Sequence, residues 1–335
     1  MSDQQLVVIV DARGTEATPE SIVLLERAGF RVEVCRQSAD EDLIRVGGEA
    51  DGLIFAGGIS RPVMENLTRC RVIARSGIGM DTVEAIDVAT ERGIVLCNMP
   101  NVIEEEVADQ TMALLLACAR RVVALDRYVR EGAWGRREPP PDEMLTSPRI
   151  SGSTLGLVGL GQIARAVARR MAGFGVRIIA HDPYLDAAVF REVGAKQATL
   201  AEVLQDSGFV SVHCPLMETT RHLISRPELR MMRPDAILVN TARGPIIDQE
   251  ALVEALRQGW IAGAGIDVME VEPLPADDPL RTLPNVVLSP HSASRSVFTE
   301  RERRLRPAQE VIAVLSGHLP RAVWNREVLR QLSLR

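Results

Sequence analysis

The stretch TLGLVGLGQIARAVARRMAGFGVRIIAHD, residues 154–182, decides the fold. It opens on an apolar run, Leu155–Val158, then places Gly159, Gly161 and Ala164 at the three small positions of a GxGxx(G/A) pattern. Ile163, Val167 and Met171 recur at helical spacing, Val176–Ala180 is a second apolar run, and Asp182 closes it. Strand, tight turn, helix, strand and terminal acid together are the fingerprint of a dinucleotide-binding βαβ unit. Each position has a physical task. Gly159 permits the turn, Gly161 lets the backbone approach a pyrophosphate, and Ala164 lets helix and strand pack closely. The helix N-terminus offers free N–H groups to the anion. Asp182 lies 18 positions past Ala164, near the ~20 expected of the acid that binds a ribose diol. An acid there repels a 2′-phosphate, so NAD is favoured over NADP.

On both sides of this unit the alternation continues. Leu6–Val10, Arg31–Cys35, Gly52–Phe55, Val72–Arg75 and Ile94–Cys97 read as strands, with helices over Ser21–Ala28 and Thr82–Glu91. Continuous apolar runs are what strands buried on both faces of a parallel sheet require. One long amphipathic helix is expected from about Glu104 to Arg130, acidic at its start and arginine-rich later, as the helix dipole favours. The segment GRREPPPDEMLTSPRI, 135–150, contains four prolines and is expected to be a linker or domain-edge loop. A second strand series runs from Thr154–Val158 to about Leu288, and a last helix is expected near Thr299–Leu315. The whole reads as an α/β chain, and 335 residues suffice for two domains.

Composition narrows the function classes. A formal charge of −6 leaves no electrostatic footprint for nucleic acid. Five cysteines, odd in number and without a CxxC pair, argue against a disulfide framework and a zinc cluster, so no metal is expected and a reducing compartment is. The N-terminus MSDQQLVVIV does not read as a signal peptide, and the most apolar helical stretch, Met112 to Ala119, is too short to span a bilayer. A cytoplasmic protein without a membrane partner is expected.

Three later segments place polar groups where strands should end. Ala236–Asn240 runs into Thr241, Ala242 and Arg243; AGAGIDVMEVEPLP puts Asp267 at a strand end, with Glu272 following; Val286–Leu288 leads through Pro290 to His291. Ligands of open α/β sheets bind outside the carboxyl ends of strands, so these groups could converge on one crevice.

Along nearly its whole length the chain resembles the D-isomer-specific 2-hydroxyacid dehydrogenases. The resemblance rests on RVIARSGIGMD (71–81), the GLGQIA turn, VSVHCPLMETTRHLI (210–224), VNTARG (239–244), IDVMEVEP (266–273) and SPH (289–291). The stretch from EEEVADQT through HDPYLD is most similar to the C-terminal-binding-protein-like and phosphoglycerate-dehydrogenase-like branch. By resemblance, Arg243 binds the substrate carboxylate and α-oxygen, His291 exchanges the proton, and Glu272 holds His291 in one tautomer and favours its charged form. Gln162 and Ile163 would lie at the pyrophosphate, Asp182 at the ribose, Cys214, Pro215 and Thr220 on the adenosine side, and Thr241, Ala242 and Asp267 near the nicotinamide. Asp267 could equally be a turn cap, and His213, near the cofactor in the family, could equally be a packed histidine. Arg75 and the Gly77–Ile78–Gly79 turn would meet the substrate, with Ile78 and Gly79 offering backbone N–H groups.

The resemblance further implies two doubly wound, Rossmann-like parallel-sheet domains with an active-site cleft between them. Residues 1–100 with 296–335 would form a discontinuous, flavodoxin-like substrate domain, and 101–295 the NAD-binding domain. The expected function is NAD-dependent interconversion of a small D-2-hydroxy acid and its 2-keto acid by a homodimer. The alternative is an NAD(H)-sensing, co-repressor-like interaction protein. Ser294 stands where such co-repressors carry a tryptophan, which removes their aromatic pocket wall.

Overall fold

In a computed structural model of the chain, which describes residues 4–12, 14, 16–134 and 145–335, the apolar runs are strands whose side chains serve two cores at once. Strand β1 (Leu6–Val10) shows the principle: Leu6 and Val8 enter one hydrophobic cluster, Val7 and Ile9 the other. The chain forms two compact units, Met1–Ile103 with Ser296–Arg335, and Glu104–Arg295.

The first unit holds β1, β2 (Arg31–Cys35), β3 (Gly52–Phe55), β4 (Val72–Arg75) and β5 (Val95–Cys97), parallel and in the order β2-β1-β3-β4-β5. That is the flavodoxin-like order of a doubly wound sheet. One face is covered by helix Val297–Leu315 through Ala308, Val311 and Val314, which explains why the end of the chain belongs to this unit. Asn325 secures the last segment: its side chain accepts from Leu96 N (2.9 Å) and donates to Ile94 O (2.9 Å), at the edge strand.

The second unit holds β6 (Thr154–Val158), β7 (Arg177–His181), β8 (Lys196–Gln197), β9 (Phe209–Val212), β10 (Ile237–Asn240), β11 (Gly263–Ile266) and β12 (Val286–Leu288). All are parallel, ordered β12-β11-β10-β9-β6-β7-β8, and the winding reverses between β6 and β9. A switch point of this kind leaves a crevice outside the carboxyl ends of the two strands. Fold and strand direction match the α/β expectation.

Two helices differ from expectation. The helix expected over Thr82–Glu91 begins only at Ile86, because Val83 is bridged to Ile59 and Ala85 adopts φ +56. The helix expected over Glu104–Arg130 is two, Glu104–Ala119 and Val122–Arg130, broken where Arg121 turns to φ +52. The first buries Val107, Ala108, Thr111, Met112, Leu114, Leu115 and Ala119, whereas in the second, among the described residues, Ala124, Leu125 and Tyr128 are half-buried and none is fully buried. The turn falls where full burial ends. Of the proline-rich segment 135–150, residues 135–144 lie outside the described residues.

Candidate active site

Gly159 leaves β6 at φ +89, and a Cβ on it would stand 2.7 Å from Cys214 N, so the turn lies directly against the chain emerging from β9. Both conditions demand glycine. Gly161 begins helix Gln162–Ala172 without a side-chain cap, and a Cβ there would meet nothing within 4 Å. The helix therefore starts with backbone N–H groups that no N-cap side chain satisfies, beside open space at Gly161, the arrangement that suits a phosphate. Gln162 is exposed and Ile163 half-buried beside it, while Ala164 is fully buried. Asp182 is held at the same turn: Oδ2 accepts from Leu160 N (2.9 Å) and Oδ1 from Tyr184 N (3.1 Å). These residues fit a dinucleotide.

After β9, burial pushes the Cys214 thiol up to about 11, which leaves it protonated at neutral pH. The buried Thr220 hydroxyl donates to Pro215 O (2.6 Å) and accepts from Met217 N (2.8 Å), closing the 215–220 loop on itself. Desolvation pushes His213 down to about 3, so its ring is neutral, and Nε2 sits 2.8 Å from Ser211 Oγ.

At the end of β10, Asn240 is buried and folds the next residues around its own amide. Its Oδ1 accepts from Ala242 N (3.0 Å) and its Nδ2 donates to Arg243 O (2.9 Å). Thr241 Oγ1 lies 2.8 Å from Thr111 Oγ1, and Arg243 Nη1 donates to Ala242 O (2.8 Å). Gly244 follows because nothing larger fits: a Cβ would stand 1.9 Å from Met269 O and 2.5 Å from Glu270 N. Gly244→Ala should therefore displace the 269–272 segment, at a cost of about 1–3 kcal/mol. A calorimetric midpoint lowered by roughly 2–10 °C is expected; an unchanged midpoint would contradict the close approach.

That same segment carries Glu272. Its Oε1 accepts from Met269 N (3.0 Å), and its Oε2 lies 2.6 Å from His291 Nδ1. Burial works to raise the Glu272 pKa, but the His291 hydrogen bond and charge, the Met269 N–H and the Arg243 charge together hold it below the usual range. A carboxylate only accepts, so Nδ1 carries the proton of that bond and Nε2 is left to exchange another. Arg243, Glu272 and His291 are thus brought together, within one unit.

Asp267 explains how His291 is aimed. Fully buried, it accepts from Ser289 Oγ (2.5 Å), Ser292 N and Ala293 N (both 3.0 Å), and its own carbonyl accepts from His291 N (2.7 Å). This is the turn-cap arrangement, and it holds His291 at φ +51. Gln110 Nε2 donates to Ser289 Oγ (3.1 Å), extending the chain of bonds to the buried helix. Asn240, Gly244, Ser289 and Gln110 escape a motif-based reading of roles; a polar residue closing an apolar strand is the one signal that singles out Asn240.

In the first unit, Arg75 ends β4 with Nη1 on Thr82 Oγ1 (2.5 Å) and its guanidinium over the Phe55 ring. The turn after it is pinned by Asn98 Nδ2 donating to Ile78 O (2.8 Å) and by Met99 N donating to Gly77 O (3.0 Å), with Gly79 next in the chain. Among the described residues no cluster of His, Cys, Asp or Glu could hold a metal, and no helix is long and apolar enough to cross a membrane.

The sequence-family model described as the NAD-binding domain of D-isomer-specific 2-hydroxyacid dehydrogenases matches residues 112–293. The chain belongs to this family. It is 46% identical over 272 residues to a glyoxylate reductase of Korarchaeum cryptofilum, covering 81% of each chain. Among solved structures, a protein of Thermus thermophilus superimposes with a TM-score of 0.85 at 37% identity, over 95% of this chain and 99% of that one. The NADPH-dependent glyoxylate/hydroxypyruvate reductase of Sinorhizobium meliloti, in complex with NADP and malonate, gives 0.83 at 29% identity, over 97% and 98%.

Proposed function

We propose that this chain is an NAD-dependent oxidoreductase interconverting a small D-2-hydroxy acid and its 2-keto acid, with glyoxylate and hydroxypyruvate as the first substrates to test. The observation that supports it most is the 2.6 Å pair between Glu272 and His291, lying within the Arg243 field. When bound, the nicotinamide supplies or accepts a hydride at the substrate α-carbon. Gly159, Gly161, Gln162, Ile163, Asp182, Cys214, Pro215, Thr220, Thr241, Ala242 and Asp267 would hold the dinucleotide.

In reduction, His291 Nε2 gives its proton to the α-oxygen as the C=O π bond opens; in oxidation Nε2 takes that proton back. Glu272 keeps Nδ1–H engaged, so the imidazolium has a counter-charge and Nε2 a fixed direction. Arg243 offers a planar, permanently charged fork to the substrate carboxylate and α-oxygen. Arg75 and the backbone of Ile78 and Gly79 are proposed as further substrate contacts. A cytoplasmic location is proposed on the odd, widely spaced cysteine set alone. The exposed Val122, Val123 and Val129 on one short helix accord with a homodimer.

The S. meliloti relative takes NADP, whereas Asp182 argues for NAD here, because a 2′-phosphate would meet its carboxylate. Asp182→Ala should reduce the preference for NADH over NADPH, in kcat/KM, by about tenfold or more. A wild-type chain that already prefers NADPH would overturn this assignment.

A further inference from the structure

We infer that His222 is a positioning residue that holds Arg243 and Glu272 at their working separation; this rests on the oxidoreductase reading above. His222 is joined by its backbone to one catalytic segment and by its side chain to the other. Its N–H donates to Pro245 O (2.8 Å), two residues past Arg243, and the pairing continues through Ile224 N to Ile246 O (3.1 Å) and Asp248 N to Ile224 O (3.0 Å). Its ring Nε2 lies 2.7 Å from Glu270 Oε1, two residues before Glu272. Glu270 is tied twice more, its N–H donating to Gln249 Oε1 (3.0 Å) and its Oε2 accepting from Gln249 N (3.4 Å), while Gln249 Nε2 donates to Asp278 Oδ2 (2.7 Å).

The backbone at His222 is itself unusual. His222 stands at φ +51, in the left-handed region that few non-glycine residues enter and in which His, like Asn and Asp, is one of the better-tolerated side chains. Such conformations persist where the surroundings over-determine them. Stability does not account for the pair: with side chains 41% and 30% exposed, it is a solvent-reached polar contact of the kind that adds little to folding. Together with the two Gln249 bonds the pair fixes where Glu270 sits, and through Met269 N, the donor to Glu272 Oε1, where the acid–base pair sits relative to Arg243. A shift of about 1 Å in such a constellation is enough to cost roughly 100-fold in rate.

His222→Asn is the decisive variant, because Asn tolerates the left-handed backbone while its amide is too short to reach from the Nε2 position. For glyoxylate reduction, kcat/KM should fall roughly 10- to 100-fold, mostly in kcat, with NADH affinity and the thermal midpoint nearly unchanged. His222→Gln, whose amide replaces Nε2, should recover most of the loss. Glu270→Ala should lose as much as His222→Asn, and the double variant should lose no more than either. Activity of His222→Asn within about twofold of wild type, absence of rescue by Gln, or additive losses would overturn the inference. If wild type itself is no faster than His291→Ala, the oxidoreductase reading fails, and deuterium exchange then decides the clamp. Faster exchange in both 244–248 and 269–272 on His222→Asn supports it, and unchanged exchange in either segment refutes it.

Discussion

His291→Ala should lower kcat for glyoxylate reduction by NADH roughly 10²–10⁴-fold, the usual worth of a positioned general acid, while leaving NADH affinity within about twofold. The reason is local. The ring is tethered at Nδ1 by Glu272 and at its backbone by Asp267, so Nε2 is its one nitrogen free to exchange a proton with an α-oxygen. None of the groups at the Gly159–Gly161 turn depends on it. Stopped-flow reduction, read at NADH absorbance and paired with a fluorescence titration of NADH, separates the two effects. Equal turnover by wild type and variant across glyoxylate, hydroxypyruvate, pyruvate and bulkier keto acids would favour the NAD(H)-sensing interaction protein instead. The pH dependence follows from the same pair. Glu272 has a folded pKa below the usual carboxylate range, so its contribution to stability is fully present above its unfolded pKa. That contribution is lost only as pH falls through the lower, folded value. Between pH 6 and 8, Glu272 stays charged, and any activity limb in that window belongs to another group.

The second large effect is expected at Arg243. Arg243→Ala should reduce kcat/KM for a 2-keto acid by roughly 30- to several thousand-fold, the cost of leaving a buried carboxylate without its charged partner. Arg243→Lys should recover little, because an ammonium is a point charge without the two-pronged geometry. Added guanidinium should restore part of the alanine variant's rate. The backbone around Arg243 is held by the Asn240 amide and the Gly244 approach to Met269, neither of which involves the guanidinium. Melting temperature should therefore change by only a few degrees. A loss no larger than about threefold, or a parallel collapse of the fold, would remove Arg243 from the substrate site.

Contiguous chain determined what could be read without coordinates. The strand–turn–helix–strand–acid order of 154–182, the doubled apolar strands and the polar residues closing them are each written in neighbouring positions, because a parallel sheet buries both faces and glycine alone suits the Gly159 turn. Tertiary structure decided everything that depends on distance between separate segments. The 2.6 Å pairing of Glu272 with His291, 19 positions away, and the service of Asp267 as the cap of the His291 turn arise from strands laid side by side. So does the approach of Met269 O to Gly244, which would leave an added Cβ only 1.9 Å away and so admits only glycine. The break at Arg121 is of the same kind: arginine has no aversion to helix, and the chain turns there where a deeply buried helix gives way to one that is at most half-buried. Local propensity speaks for single elements; side-chain roles are settled by which neighbours the sheet brings within hydrogen-bonding reach.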